Sequence, residues 1–345
     1  MTAAGVSREE ALRALADRLG DRATTGKPLG PLTTYGVGGP AALFVEVERP
    51  ADLEALRSAV RKVAREEGAR ERGLEIFVIG RGSNLLVADG GYDGVVVHLG
   101  AGFAGLELPH RGDPAGEAAP EGTPVVRAGG ALALPVLARR VADAGWSGLS
   151  WAVGVPGSVG GAVRMNAGGH GSDMAACLVR YSWVDLFGGE GGTDDVARLA
   201  YGYRSSSVTA TQLVVEAELV VTPGSVEEER AAVSSIVSWR RAHQPGGSNA
   251  GSVFTNPEGD SAGRLIEEAG LKGFRLGTAQ VSGKHANFIQ ADKGGRADDV
   301  LALMAHVRRV VEERCGVRLV AEVRLLGFGD GKTGAVADGG TGDGR

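Results

Sequence analysis

Two glycine-rich turns and one isolated hydroxyl are the features of this 345-residue chain whose residue types and spacing could do chemistry. The first turn, Gly80-Arg81-Gly82-Ser83-Asn84, follows the apolar run LEIFVI, and the second runs from Gly154 to Gly161 in GVPGSVGG. Backbone N–H groups relieved of side-chain crowding form nests that hold phosphate oxygens without a lysine, so two such turns could grip one pyrophosphate. Neither turn is a dinucleotide fingerprint: the place of the third glycine is Leu85, the residues after it read as extended, and VVVHLG ends on His98 and Leu99 where an acidic residue is needed. No glycine followed by four spacers and Gly-Lys-Ser/Thr occurs, which removes the Walker loop. The hydroxyl is Ser252 in SNAGSVFTNP, where the preceding glycine lets backbone come close to a bound group. A lone serine hydroxyl in such a stretch is either a group that does chemistry or ordinary turn filler.

The elements that must position these residues alternate between helix and strand. SREEALRALADRLG reads as a polar helix, AALFVEVERP as a strand, ADLEALRSAVRKVAREE as a helix, and RGSNLLVADGGYDGVVVHLG as strand, turn and strand, giving a small α+β layer to about residue 100. Residues 104–122 carry Pro, Gly and charge without period and read as a surface loop. PVVRAGG is a strand, ALALPVLARRVADAG a helix ending on Gly145, and VRYSWVDLF and QLVVEAELVVTP are strands of a mainly β unit. Ser225 and Glu228 form a capping box for a helix that buries Val233, Ile236 and Val237 and ends before Pro245. A last helix, ADDVLALMAHVRRVVEERC, stops at Gly316, and VRLVAEVRLLGF reads as a strand with Leu319, Ala321, Val323 and Leu325 on one face and Val320, Glu322 and Arg324 on the other. The apolar-poor stretch 329–345 reads as a disordered tail.

A chain this long exceeds the roughly 250 to 300 residues at which single cores stop growing, so more than one domain is expected. A net charge of −5 provides no broad basic surface for nucleic acid. Cys177 and Cys315 stand apart with no Cys/His spacing around them, so neither a disulfide framework nor a metal site is expected. No run of about 18 apolar residues occurs and the first helix is polar, which predicts a cytoplasmic protein with no membrane segment.

Six separated stretches resemble one family in its own order: IGRGSNLLV, VGVPGSVGGAVRMNAG, YGYRSS, NAGSVFTNP, GRLIEEAGLKGFRLGTAQVSGKHANFI and AEVRLLG. From about Pro28 to Gly327 the chain looks like the UDP-N-acetylenolpyruvoylglucosamine reductases, flavoenzymes of bacterial cell-wall synthesis. The resemblance implies an α+β protein with a two-part FAD-binding region of the vanillyl-alcohol-oxidase type and a C-terminal α+β substrate-binding domain. Its divisions would be an N-terminal extension (1–27), FAD-binding subdomains (28–100 and 101–223), the substrate-binding domain (224–328) and the tail (329–345). It also implies non-covalent FAD, NADPH as reductant, a sugar-nucleotide substrate and no metal; the protein is expected to be a monomer. Hydride would pass from flavin N5 to C3 of the enolpyruvyl group and a proton to C2.

Carried over residue by residue, the proton donor falls on Ser252, and the pair polarising the substrate carboxylate falls on Arg204 and Glu322. Hydride addition to an enol ether needs a cation to stabilise the enolate-like charge, which a guanidinium fork provides. A neutral Glu322 could donate a further hydrogen bond. Cofactor contacts fall on Gly80, Arg81, Gly82, Ser83, Asn84, Gly154, Pro156, Gly157, Gly160, Gly161, Asn166, Ala167 and Gly168; substrate contacts fall on Tyr203, Arg240, Asn256 and Lys284. Thr255 stands where the family usually has lysine, a lost charge that Lys272, Arg275 or Lys284 could offset, while His285 and Asn287 read as structural or substrate-edge residues. All five tyrosines lie at or before Tyr203, so the chain resembles the family's shorter form, which lacks a tyrosine-bearing insertion. Two rivals stand beside this reading. One is a flavin oxidase tethering FAD through His98, His110 or His170; the other is a sugar-nucleotide binder without catalysis.

Overall fold

The computed structural model describes residues 7–66, 74–110 and 123–329. These residues group into two compact units whose segments alternate along the chain. The first comprises the chain up to Thr25, Leu43–Arg81 and Gly94–Trp239; the second comprises Gly26–Ala42, Gly82–Asp93 and the residues from Arg240 onward.

In the first unit, helix Arg8–Leu19 starts at a capping box in which Ser7 and Glu10 each take the other's backbone N–H, and Leu15 and Leu19 are buried beneath it. Helix Pro50–Glu66 buries Leu56, Val60 and Val63, the apolar stripe expected of its period. A five-stranded sheet has the spatial order Gly191–Asp195, Leu178–Asp185, Gln212–Val220, Val125–Gly129, Leu106–Glu107, with every neighbouring pair antiparallel. Helix Leu134–Asp143 adds Leu134, Leu137 and Val141 to a core shared with Val126, Ala217 and Leu219 of that sheet. Strand Ile76–Ile79 runs parallel to Tyr92–Leu99 and pairs Ile79 with His98, which brings the glycine turn after Ile79 to the end of that strand.

In the second unit, helix Ala297–Cys315 buries Val300, Leu303, Met304, Val307 and Val311, and Gly316 closes it at φ +69°. This core also holds helix Ala262–Glu268, strands Ala279–Val281 and Ile289–Ala291, and the side chains of Tyr35, Leu86, Val253 and Phe254. The N-cap residue of the 297–315 helix, Arg296, makes no side-chain capping hydrogen bond. The first N–H groups of the helix, on Ala297 and Asp298, donate instead to the Asp89 carboxylate at 2.8 and 3.1 Å.

Two expectations need adjustment. The stretch after Gly316 is not one long strand: only Arg324–Leu326 forms one, parallel to Leu85–Val87, and Ala321 makes a single bridge to Phe254. Between these anchors the chain changes partner, which breaks the ladder. Within the 104–122 loop, Leu106–Glu107 pairs as a short strand; residues 111–122 and 330–345 lie outside the described residues. No helix among the described residues is long and apolar enough to cross a membrane.

Candidate functional site

Gly80 and Arg81, the part of the first glycine turn that falls in the first unit, stand against the second turn there. A Cβ on Gly80 would stand 2.5 Å from Ser158 Oγ, the hydroxyl that also accepts the Gly161 N–H at 3.3 Å. Gly80, Arg81, Ser158, Gly160 and Gly161 line one cavity of about 370 Å³, together with Arg164, Gly130 and residues of the first sheet's strand ends. Gly160 is required to be small, since its N–H donates to Gly130 O at 2.9 Å and a Cβ would press on that carbonyl and on Val214 O. A cavity of this size suits part of a dinucleotide, with uncrowded glycine backbone and the side chains of two arginines, Arg81 and Arg164, among its lining. The residues present therefore fit the diphosphate and one end of FAD.

The other glycines of the pair serve close packing. Gly82, in the second unit, has φ +57° and a Cβ there would collide with Leu32 O; its own carbonyl accepts from Thr34 N. Gly154 leaves room for the His170 ring, and Gly157 gives its carbonyl to Leu134 N. Neither these two nor Pro156 line the cavity; Ser158 and Gly130, which do, are not among the cofactor contacts that the resemblance implies, and His98, a candidate tether in the rival oxidase reading, lines it too. Gly129-Gly130 directly after an apolar strand was the signal for one of them.

Asn166, Ala167, Gly168, Tyr203 and Arg204 form one corner of the first unit. Asn166 (φ +41°) donates its amide to Gly202 O at 3.1 Å and accepts from Ala175 N at 2.9 Å. Arg204 has φ +52°, a left-handed backbone that costs a non-glycine residue of order 1 to 3 kcal/mol. Its guanidinium donates to Gly168 O at 2.9 Å and Asn166 O at 3.4 Å and lies over the Tyr203 ring, 5.4 Å from the centroid. Tyr203 is 65 % exposed, so the corner opens to solvent.

Ser252 and Glu322 belong to the second unit and lie on neighbouring segments. Val253 donates its N–H to Asn287 O at 2.9 Å, and its carbonyl accepts Glu322 N–H at 2.8 Å. Phe254 N–H donates to Asn287 Oδ1 at 3.0 Å and Phe254 O accepts from Asn287 Nδ2 at 2.8 Å. On the far side, Asn84 Nδ2 donates to Glu322 O at 3.1 Å, and Asn84 O accepts Arg324 N–H at 3.1 Å. One ladder thus runs from Asn84 through Glu322 and Val253 to Asn287. Ser252 sits half-buried at its edge after Gly251 (φ +79°), and its hydroxyl makes no hydrogen bond among the described residues.

Arg240 is half-buried and burial lowers its pKa; its Nε donates to Gln244 at 2.8 Å. Asn256 is exposed and spends its Oδ1 on Ala262 N–H at 3.1 Å, while Lys284 Nζ donates to Arg241 O. Thr255 donates its hydroxyl to Val320 O at 3.3 Å, whereas Lys272 pairs with Glu267 and Arg275 with Asp292. His285 accepts Asn287 N–H on Nδ1, and desolvation lowers its pKa.

Helices and strands packed around paired glycine turns are the architecture of a flavoprotein of the vanillyl-alcohol-oxidase type. The profile of an FAD binding domain matches residues 46–190, and the VAO-type flavoprotein MtVAO615 from Myceliophthora thermophila shares the fold at 9 % identity and a TM-score of 0.53 over 98 % of this chain and 91 % of that one. Residues 243–326 match the profile described as UDP-N-acetylenolpyruvoylglucosamine reductase, C-terminal domain. A UDP-N-acetylenolpyruvoylglucosamine reductase from Heliobacterium modesticaldum is 42 % identical over 92 % of this chain and 94 % of its own. The crystal structure of the reductase from Thermus caldophilus aligns at a TM-score of 0.70 with 33 % identity, covering 88 % of this chain and 98 % of that one. The chain belongs to the UDP-N-acetylenolpyruvoylglucosamine reductase family and is an FAD-dependent oxidoreductase.

Proposed function

We propose that the protein reduces UDP-N-acetylglucosamine enolpyruvate to UDP-N-acetylmuramate with NADPH as electron donor, a step of peptidoglycan precursor synthesis that serves cell shape and division. The observation that carries this reading is the ladder that sets Ser252 beside Glu322, because the reaction needs a proton donor and a charge-stabilising group on one side of a small vinyl ether. FAD, when bound, would supply the hydride chemistry, with delivery from its N5 to C3 of the enolpyruvyl group. Ser252 gives its hydroxyl proton to C2 from its half-buried place beside Gly251. Arg204 takes the substrate carboxylate in its planar fork and drains the charge that develops as the hydride arrives. Glu322 is the second group assigned to the substrate carboxylate, where its protonated form would donate a hydrogen bond to the enolate oxygen.

The cavity that Gly80, Arg81, Gly160 and Gly161 line holds the FAD diphosphate without a covalent link. Arg240, whose partial desolvation an anion would relieve, takes the substrate diphosphate, with Tyr203, Asn256 and Lys284 around the sugar nucleotide. Residues 28–100 and 101–223 act as the flavin-holding parts and 224–328 as the substrate-binding part. The enzyme works as a monomer in the cytoplasm, where NADPH and sugar nucleotides are made. Ser252→Ala is expected to slow reoxidation of the anaerobically reduced protein by the enolpyruvyl substrate by at least a hundredfold, the scale of general acid catalysis, with little change in reduction by NADPH. Stopped-flow measurement of both half-reactions decides it, and an equal fall in both makes Ser252 structural.

A further inference from the structure

The corner that presents Arg204 is stitched to one short helix of the first unit, Val159–Met165, which lines the cofactor cavity with Gly160, Gly161 and Arg164. The last carbonyls of a helix lack intrahelical partners and must find donors elsewhere. Here the segment around Arg204 supplies them. The Tyr201 hydroxyl donates to Val163 O at 2.8 Å, and the Ser206 hydroxyl donates to Arg164 O at 2.6 Å. Burial raises the pKa of the Tyr201 phenol, which keeps it a donor. Between these two ties, Gly202 and Ser205 exchange backbone hydrogen bonds at 3.2 and 3.4 Å, so Tyr203 and Arg204 form the tip of a two-residue turn. Asn166, the C-cap of the helix, closes the connection: its amide donates to Gly202 O at 3.1 Å, and its carbonyl accepts the Arg204 guanidinium at 3.4 Å.

A left-handed non-glycine residue persists only where its surroundings over-determine it. Arg204, at φ +52°, meets that condition through ties on both arms of its turn. We propose that Tyr201 and Ser206 are positioning residues for Arg204: by anchoring the two arms of its turn to helix Val159–Met165, they set the guanidinium at a fixed place relative to the cofactor cavity. Neither residue lines that cavity, so each acts through Arg204. The inference rests on the reading that Arg204 takes the substrate carboxylate; it adds which residues hold the guanidinium there.

The test uses the full chain loaded with FAD, as Tyr201→Phe, Ser206→Ala, Arg204→Ala and the two pairs made with Arg204→Ala. Stopped-flow absorbance follows flavin reduction by NADPH and reoxidation by UDP-N-acetylglucosamine enolpyruvate. Tyr201→Phe and Ser206→Ala are each expected to slow reoxidation roughly tenfold, within the hundredfold or so that misplacing a reacting group by about 1 Å can cost, with reduction and flavin content unchanged. In the Arg204→Ala background the same changes should cost nothing more, because residues acting through one group do not add. Additive losses, equal slowing of both half-reactions, loss of flavin, or no slowing overturns the proposal. Should one variant fail to fold, the other carries the comparison, and unfolding of both would make the ties structural and overturn it too. Arg204→Ala reoxidised at the wild-type rate would refute the carboxylate reading and the inference with it, whereas slow reoxidation of Arg204→Ala beside normal rates in Tyr201→Phe and Ser206→Ala refutes only the inference.

Discussion

Asn287 is the residue on which the placement of Ser252 depends. Its carbonyl and both ends of its side-chain amide engage the peptides of Val253 and Phe254, and it is 3 % exposed, so no water can replace it. Asn287→Ala leaves the N–H and C=O of buried Phe254 without partners, at roughly 1 to 3 kcal/mol for each group. The variant should lose roughly 2 kcal/mol or more in urea denaturation and should lose substrate turnover more than flavin content; unchanged stability would show that the peptides find other partners. Reading the sequence singled out Ser252 only through its company and left Asn287 between a structural and a substrate-edge role, because partners 33 residues apart leave no spacing to detect. Arg204 shows the same limit. Its left-handed backbone and its hold on Asn166 and Gly168 follow from tertiary packing that no local pattern encodes.

Elements were legible where period and caps are local and illegible where the partner is remote. Ser225 ahead of Glu228 and the stripe from Val300 to Val311 reveal their helices, as the structure bears out. The cap of Ala297–Cys315 comes from Asp89, 208 residues earlier, and the alternation after Gly316 read as a continuous strand although only Arg324–Leu326 has a ladder partner. Helix Pro50–Glu66 supplies a prediction at this scale. Hydrogen bonds from Arg49 and Arg22 hold the Asp52 carboxyl down at about 2, below its ordinary value near 3.8. A depressed folded pKa stabilises the fold above the unfolded pKa, and that contribution is lost as pH falls through the folded value. Asp52→Asn should therefore lower the melting temperature at neutral pH, with the gap to wild type constant above about pH 5 and closing between about pH 4 and 2. A gap that does not narrow in acid would remove the ion pair as its cause.

For the whole molecule, the order of six motifs pointed to the family, and relatives covering nearly the entire chain bear that out. The compact units were not legible. Gly26–Ala42 and Gly82–Asp93 leave their sequence neighbours to join the residues after Arg240, so the turn Gly80–Asn84 is divided between units that a linear reading treats as consecutive blocks. Sequence order records motifs; it does not record which segments share a core. The most direct measurement is the visible absorption of the purified protein under anaerobic conditions, first with NADPH and then with UDP-N-acetylglucosamine enolpyruvate. The account predicts a flavin band that NADPH bleaches and the enolpyruvyl substrate restores, with UDP-N-acetylmuramate as product. A colourless protein that takes up no added FAD, or a bleached band that the substrate leaves unchanged, would contradict it.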